Sequence, residues 1–157
     1  MLGLADAGGV GQILCKWANA VGSTVIGSVG SAEKARIAGK RGCHHVINYR
    51  ETNFAEEVRR ITRGAGVDVV YDGVGRDVFP ASLDCLRPLG MWALFGQSSG
   101  PVPPVDLSIL AQKGSLFVTR PLLFTYIAAR KDLEKAAREL FRVVANGTVK
   151  VEVNQRY

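Results

Sequence analysis

The residues with the clearest chemical potential stand near the start of the chain, within 4–22 (LADAGGVGQILCKWANAVG). Gly8, Gly9 and Gly11 follow a short apolar run and precede a helical pattern. Glycines in a strand-to-helix turn let the backbone approach phosphates, and the helix N-terminus offers free N–H groups. The arrangement predicts binding of a dinucleotide pyrophosphate; the alternative is a structural glycine turn without a ligand.

The spacing departs from G-x-G-x-x-G, because Asp6 occupies the first glycine position. Read instead as A-x-x-G-x-x-G, the motif consists of Ala5, Gly8 and Gly11. A carboxylate pointing into the turn would repel a diphosphate and lower its affinity. Alternatively, the Asp6 side chain caps the turn amides in the empty protein. The sequence leaves both interpretations open.

The residues after the second apolar run indicate which dinucleotide is bound. NAD sites usually place a carboxylate there to bind the ribose 2′-OH. No acid stands near Val29, and Glu33 lies further on, whereas Ser28, Ser31 and Lys34 are close in sequence. Hydroxyls and an ammonium suit a 2′-phosphate, which predicts NADP(H). The alternative is that Lys34 is an ordinary solvated helix residue.

Strand-like and helical patterns alternate along nearly the whole chain. Strands are predicted over 1–5, 23–29, 45–49, 67–71, 90–96 and 115–119, with a surface strand over 149–153. Helices are predicted over 10–21, 31–40 (with Ser31 as N-cap), 54–62 (capped by Asn53), 79–86, 107–112 and 129–145. Because parallel strands need right-handed crossovers, this alternation predicts an α/β fold of the Rossmann type, a doubly wound parallel six-stranded sheet with helices on both faces.

Two expectations concern the core. The apolar runs 69–72 and 91–95 are typical of central strands buried on both faces. The long helix 129–145 is expected to turn one apolar face inward. That face consists of Leu133, Ala136, Ala137, Leu140, Phe141 and Val144.

Composition limits the class of protein. The chain has 157 residues and a net charge of +6, which suits one domain with acidic partners such as phosphate-bearing cofactors, although the cations are scattered. No apolar run is long enough for a membrane span, so no membrane partner is expected. The isolated Cys15, Cys43 and Cys85 favour thiols and a cytoplasmic location. His44 and His45 lack zinc-ligand spacing, so no metal site is expected.

Several stretches together resemble the cofactor domain of the zinc-free quinone oxidoreductases, the zeta-crystallin-like branch of the medium-chain dehydrogenase/reductase superfamily. The resemblance covers essentially the whole chain. Its matching stretches are ADAGGVG, VIGSVGSAEKA, HVINYRE, GVDVVYDGVGRD, SLDCLRPLGM, FGQSSGPVPP, ILAQKGSLFVTRP and KVEVNQRY.

This resemblance implies NADPH as the cofactor and hydride transfer to quinones or related electrophilic carbonyl compounds as the reaction. It implies a pyrophosphate near Gly9 and Val10, a 2′-phosphate near Gly30, Ser31, Lys34 and Tyr49, and a nicotinamide half near the loop after the fifth strand. No catalytic residue is expected in this chain. The candidate cofactor-binding residues are Gly8, Gly9, Val10, Gly11, Gly30, Ser31, Lys34, Tyr49, Gly96, Gln97 and Ser98.

The resemblance also implies a domain organisation. Residues 1–148 would form the NADP-binding domain, and 149–157 would begin a return segment to a catalytic domain that this chain lacks. The isolated chain is therefore expected to lack catalytic competence, and a homodimer is expected through the strand 115–119. The alternatives are a non-enzymatic module that binds NADPH or, with little support from the sequence, nucleic acid, and a structural fragment whose turn Asp6 blocks.

Overall fold

A computed structural model describes residues 1–4 and 9–151 and contains one parallel sheet of six strands. The strands are β1 (Leu2–Leu4), β2 (Ile26–Val29), β3 (His45–Asn48), β4 (Val67–Asp72), β5 (Leu86–Leu94) and β6 (Phe117–Thr119). Their spatial order is β3-β2-β1-β4-β5-β6, and every neighbouring pair is parallel. The predicted doubly wound Rossmann-type α/β fold is confirmed.

Seven α-helices within the described residues connect and flank the strands. They are α1 (Gly9–Ala20), α2 (Ala32–Lys40), α3 (Phe54–Ile61), α4 (Ala81–Asp84), α5 (Ser108–Gln112), α6 (Leu123–Tyr126) and α7 (Arg130–Ala145). Two predicted caps are confirmed: Ser31 accepts from the Lys34 N–H, and Asn53 accepts from the Ala55 N–H. Such caps satisfy amide groups that have no partner within the helix.

The core consists of two apolar clusters. The larger one joins β1, β4 and β5 to α3 and α4, with Leu2, Val70 and Leu83 almost completely buried. The smaller one joins α1, β2 and α2 around Cys15 and Val25. The α1–β2–α2 unit is therefore packed by its own cluster.

Two element boundaries differ from the sequence prediction. The helix predicted over 79–86 is reduced to α4, preceded by the 3₁₀ turn Arg76–Val78. Strand β5 begins at Leu86 because that buried residue pairs with Val67 of β4. Residues 149–151 do not form the predicted surface strand, and the rest of that prediction lies outside the described residues.

The predicted burial of two apolar surfaces is wrong. In β5, Met91 remains 39% exposed. The strands that are buried along their whole length are β1 and β2, rather than β4 and β5. In α7, Phe141 is 68% exposed, and Leu133 and Val144 are also exposed, whereas Val143 is buried. Helical periodicity identifies an apolar face, but burial requires a neighbouring layer that covers it.

Candidate nucleotide-binding site

The candidate site lies at the carboxyl edge of the sheet, where the strand order reverses. Strand β1 lies between β2 and β4, and its last residue, Leu4, pairs with Ser28 and with Asp72. In open parallel sheets, the crevice beside such a reversal is the usual place for a ligand. Helix α1 begins at Gly9, shortly after β1.

A cavity of about 670 Å³ lies at this edge. Its walls come from the ends of β2 and β3, from α2 and α3, and from the loops after β4 and β5. The lining residues are Ser28, Val29, Gly30, Lys34, Tyr49, Phe54, Val74, Asp77, Val78, Ser98 and Ser99. Four predicted cofactor residues, Gly30, Lys34, Tyr49 and Ser98, therefore meet in one cavity.

Gly30 and Tyr49 form one wall of the cavity in close contact. A Cβ atom added to Gly30 would lie 2.6 Å from the Tyr49 hydroxyl oxygen. That separation is shorter than real Cβ contacts, so a side chain at residue 30 would displace the Tyr49 ring. Glycine at the end of β2 therefore permits the Tyr49 hydroxyl to reach across the strand end.

The start of α2 supplies the positive charge of the cavity. The Ser31 Oγ accepts from the Lys34 N–H at 3.2 Å, which fixes the first turn of α2. The Lys34 side chain is exposed and lines the cavity. Glu33 is exposed and is not among the lining residues, so the end of β2 and the start of α2, where an NAD site places a carboxylate, contribute none to the cavity wall.

The turn after β4 is built around Asp72, which is completely buried. One carboxylate oxygen accepts from the Val74 and Gly75 N–H groups, at 2.8 and 3.0 Å. The other accepts from Ser82 Oγ at 3.3 Å and from Trp92 Nε1 at 3.0 Å. Asp72 therefore holds the turn in shape.

The loops after β4 and β5 pack directly on one another. A Cβ atom on Gly96 would lie 2.7 Å from the Gly73 carbonyl oxygen, so the approach requires glycine. The Ser98 N–H donates to that same carbonyl at 3.1 Å, and Ser98 lines the cavity. Gly96 and Gln97 lie in this loop without lining the cavity.

The predicted pyrophosphate residues lie at the start of α1. Gly9 has open space where a Cβ atom would be, Val10 is 63% exposed, and Gly11 is buried. None of these three lines the cavity itself. Gly8, together with Ala5 and Asp6, lies outside the described residues.

The sequence did not identify five residues of the cavity wall. Phe54 was predicted only as the first residue of a helix, and Val74, Val78 and Ser99 were not singled out. The fifth is Asp77, whose side chain pairs with Arg76 at 3.1 Å and also lines the cavity. The usable signal was topological, because loops after neighbouring parallel strands converge on one edge.

Within the described parts of the chain, no group of three or more His, Cys, Asp and Glu side chains could hold a metal ion. His44 has a structural role, since its Nδ1 accepts from the Val25 N–H at 3.0 Å. Over the same residues, no helix is both long and apolar enough to cross a membrane.

A parallel sheet with a cavity at its strand-order reversal and a glycine-led helix defines a nucleotide-binding domain of the Rossmann class. The chain belongs to the family described as zinc-binding dehydrogenase, whose profile matches residues 9–142. The family name refers to zinc, but the His, Cys, Asp and Glu side chains of the described residues do not form a set of ligands that fits zinc.

Similar proteins support the resemblance to quinone oxidoreductases. Quinone oxidoreductase of Salmonella typhimurium is 54% identical over 98% of this chain and 47% of its own length. The 2-haloacrylate reductase of a Burkholderia species is 47% identical over 98% of this chain and 46% of its own length. The Escherichia coli quinone oxidoreductase complexed with NADPH superposes with a TM-score of 0.93 at 53% identity, over 97% of this chain and 47% of that one. The chain spans about half the length of the curated relatives it matches.

Proposed function

We propose that this domain binds NADPH and supplies it as the reductant for quinones or related electrophilic carbonyl compounds. The observation that carries this proposal is the meeting of Gly30, Lys34 and Tyr49 in one cavity at the carboxyl edge of the sheet. These residues come from β2, α2 and the end of β3, so folding alone brings them together.

The residues present fit such a cofactor. Lys34 provides a cation, and the Ser31 and Tyr49 hydroxyls provide hydrogen-bond donors, for a 2′-phosphate. The free N–H groups at the start of α1, from Gly9 to Gly11, suit a pyrophosphate. The loop that contains Gly96, Gln97 and Ser98 lies toward the nicotinamide half in this proposal. NADPH supplies the hydride, while the protein binds and orients it.

The relatives support both parts of the proposal. The Escherichia coli relative is a quinone oxidoreductase whose structure has been solved with NADPH. The Burkholderia relative is a 2-haloacrylate reductase, so an electron-poor carbon–carbon double bond is the second substrate class to test.

Replacement of Lys34 by alanine tests the 2′-phosphate site. A charged hydrogen bond contributes about 1.5–3 kcal/mol, so Lys34→Ala should weaken NADPH binding about 10- to 100-fold. Affinity for NADH, which lacks the 2′-phosphate, should change little. Lys40→Ala is the matched control, because it removes the same charge from the other end of α2. Nicotinamide fluorescence at low salt measures the affinities of the wild type and of both variants for NADPH and for NADH.

Three outcomes would contradict the proposal. Preference for NADH would overturn the 2′-phosphate site. Equal effects of Lys34→Ala and Lys40→Ala on NADPH affinity would show that the affinity depends on the net charge of α2 and not on a site at Lys34. Failure to bind either dinucleotide would favour the structural fragment blocked at Asp6, and recovery of binding in Asp6→Ala would support that explanation. Salt-sensitive binding of a single-stranded oligonucleotide would instead favour the nucleic-acid alternative, and competition with NADPH would place it in the same groove.

We also propose that the cofactor domain covers residues 1–148 and that 149–157 begin a return segment. In this proposal, the exposed loops around the cavity provide some of the contacts with the substrate, and a second domain provides the others. The 157-residue chain is therefore expected to bind NADPH without oxidising it in the presence of a quinone, as followed by nicotinamide absorbance. Quinone-dependent oxidation at a rate typical of an enzyme would contradict this proposal.

A homodimer through the edge strand β6 is proposed as well. Phe117 and Val118 are 56% and 47% exposed on this short edge strand, which invites pairing with another strand. Val118→Lys should shift the sedimentation equilibrium toward monomer, whereas Val21→Lys, at an exposed valine at the end of α1, should not. A wild-type chain that sediments only as a monomer would contradict the proposal.

A cytoplasmic location is proposed from the state of the cysteines. Cys15, Cys43 and Cys85 are all thiols in this structure. Reduced cysteines are typical of compartments with a glutathione or thioredoxin system. Fractionation of the source cells with an antibody to the chain tests this location, and recovery in a secreted fraction would contradict it.

A further inference from the structure

Two of the three cysteines are neighbours in space although 28 positions separate them in sequence. Cys15 lies in the middle of α1, and Cys43 lies in the loop between α2 and β3. Their sulfur atoms are 3.4 Å apart. Cys15 is completely buried, and Cys43 is 9% exposed, so the second thiol is the more accessible one.

The backbone around Cys43 holds this loop against α1. Gly42 has φ +97°, and a Cβ atom on it would lie 3.2 Å from Asn19 Nδ2 and 3.5 Å from the Cys15 carbonyl oxygen. The Cys43 N–H donates to the Ala38 carbonyl at 3.3 Å. Glycine at residue 42 therefore permits the close approach that brings the two thiols together.

We propose that Cys15 and Cys43 form a reversible redox pair, which hydrogen peroxide converts into an intramolecular disulfide. The more accessible Cys43 sulfur attacks one peroxide oxygen, the O–O bond breaks, and a sulfenic acid and one water form. The Cys15 sulfur then attacks the Cys43 sulfur, and the sulfenic oxygen leaves as a second water. In total, two thiols lose two electrons and two protons, and one hydrogen peroxide is reduced to two waters.

The geometry allows this bond to form with a small movement. A disulfide has an S–S distance of about 2.05 Å, so the sulfurs must approach by roughly 1.4 Å from their present 3.4 Å. A surface groove of about 430 Å³ is lined by Lys16 and Gly42, the sequence neighbours of the two cysteines, but neither thiol lines it. Access of a peroxide therefore depends on the exposed part of Cys43.

The third cysteine provides an internal control. Cys85 belongs to the other apolar cluster, and its sulfur contacts the Ala81 carbonyl oxygen at 3.4 Å. Burial raises the pKa of the Cys85 thiol to about 12, which suppresses its reactive thiolate form.

The disulfide would connect two parts of the candidate site. The covalent loop from residue 15 to residue 43 contains β2 and α2, and with them Gly30, Ser31 and Lys34. The bond would tie the helix that begins at Gly9 to this segment. Formation of the disulfide does not depend on the proposed NADPH function, so the two proposals can fail separately.

Peptide mapping after oxidation tests the proposal on the whole chain. The reduced protein is treated with a few equivalents of hydrogen peroxide, remaining thiols are alkylated, and the protein is digested with trypsin without reductant. The expected product is residues 1–16 linked to residues 42–50, released again by dithiothreitol. Cys85→Ala should give the same product, whereas Cys43→Ala and Cys15→Ala should each abolish it.

Other outcomes would overturn the redox pair. These are a link that includes Cys85, a link between two chains, irreversible oxidation of Cys43 without a link, or survival of both thiols when the peroxide oxidises a reference dithiol. Circular dichroism of each alanine variant distinguishes loss of the thiol from loss of the fold. If an alanine variant unfolds, the serine variant of the same cysteine replaces it. Oxidation of Cys15 in Cys43→Ser as fast as in the wild type would overturn the role of Cys43 as the first thiol to react.

Discussion

Apolar side chains are buried in the strands around β1 but exposed in the elements after residue 116, namely β6, α6 and α7. Leu2, Ile26 and Val70 are 0–1% exposed, and each of their strands has a neighbouring strand on both edges. In contrast, Phe117, Phe124 and Phe141 are 56%, 74% and 68% exposed in β6, α6 and α7. The first region buries its apolar side chains, whereas the second leaves three phenylalanine rings exposed.

The largest expected effect comes from the buried carboxylate at the end of β4. Asp72→Ala removes the acceptor of four hydrogen bonds and leaves the Trp92 and turn N–H groups buried without it. We expect a loss of about 4 kcal/mol in the free energy of unfolding, measured by urea titration. Asp77→Ala, at an exposed carboxylate only five residues away, should cost less than about 1 kcal/mol. Equal costs would remove the contrast between the buried and exposed regions.

A pair of core and surface truncations addresses the comparison directly. Leu83→Ala, at a residue 1% exposed, should lower the free energy of unfolding by about 3 kcal/mol through loss of burial and formation of a cavity. Phe141→Ala removes a larger side chain from α7 but should change it by no more than about 0.5 kcal/mol, because that ring is exposed. A large cost for Phe141→Ala in dilute monomer would show that α7 packs more tightly than its exposure indicates.

A smaller effect than that of either buried residue is expected at a helix cap in the well-packed region. Asn53→Ala removes the side chain that accepts from the Ala55 N–H at 3.0 Å at the start of α3. The expected cost is about 1 kcal/mol of unfolding free energy by the same urea titration. Asn53→Ser retains an acceptor and should recover most of this loss; no difference between the two variants would argue that the cap contributes little.

Local patterns were sufficient for much of the fold, because they depend on neighbours in sequence. The caps Ser31 and Asn53 and the alternation of strands and helices follow from such patterns. The exposure of Phe141 and Met91 did not follow from such patterns, since burial depends on covering layers that periodicity alone does not identify. The same limit applies to the cavity, where Asp77 and Ser99 enter through the convergence of two loops distant in sequence.

The central position of β1 has a consequence for how the chain acquires its structure during synthesis. Leu2 pairs with Ile26 on one side and with Val70 on the other, so β1 needs a partner, β4, that is made much later. Contacts of such long sequence separation slow folding, because a long loop must close before they form. Until β4 leaves the ribosome, one edge of β1 is open and its leucines are exposed to other nascent chains. The middle of the finished sheet is therefore the part that must be protected for the longest time.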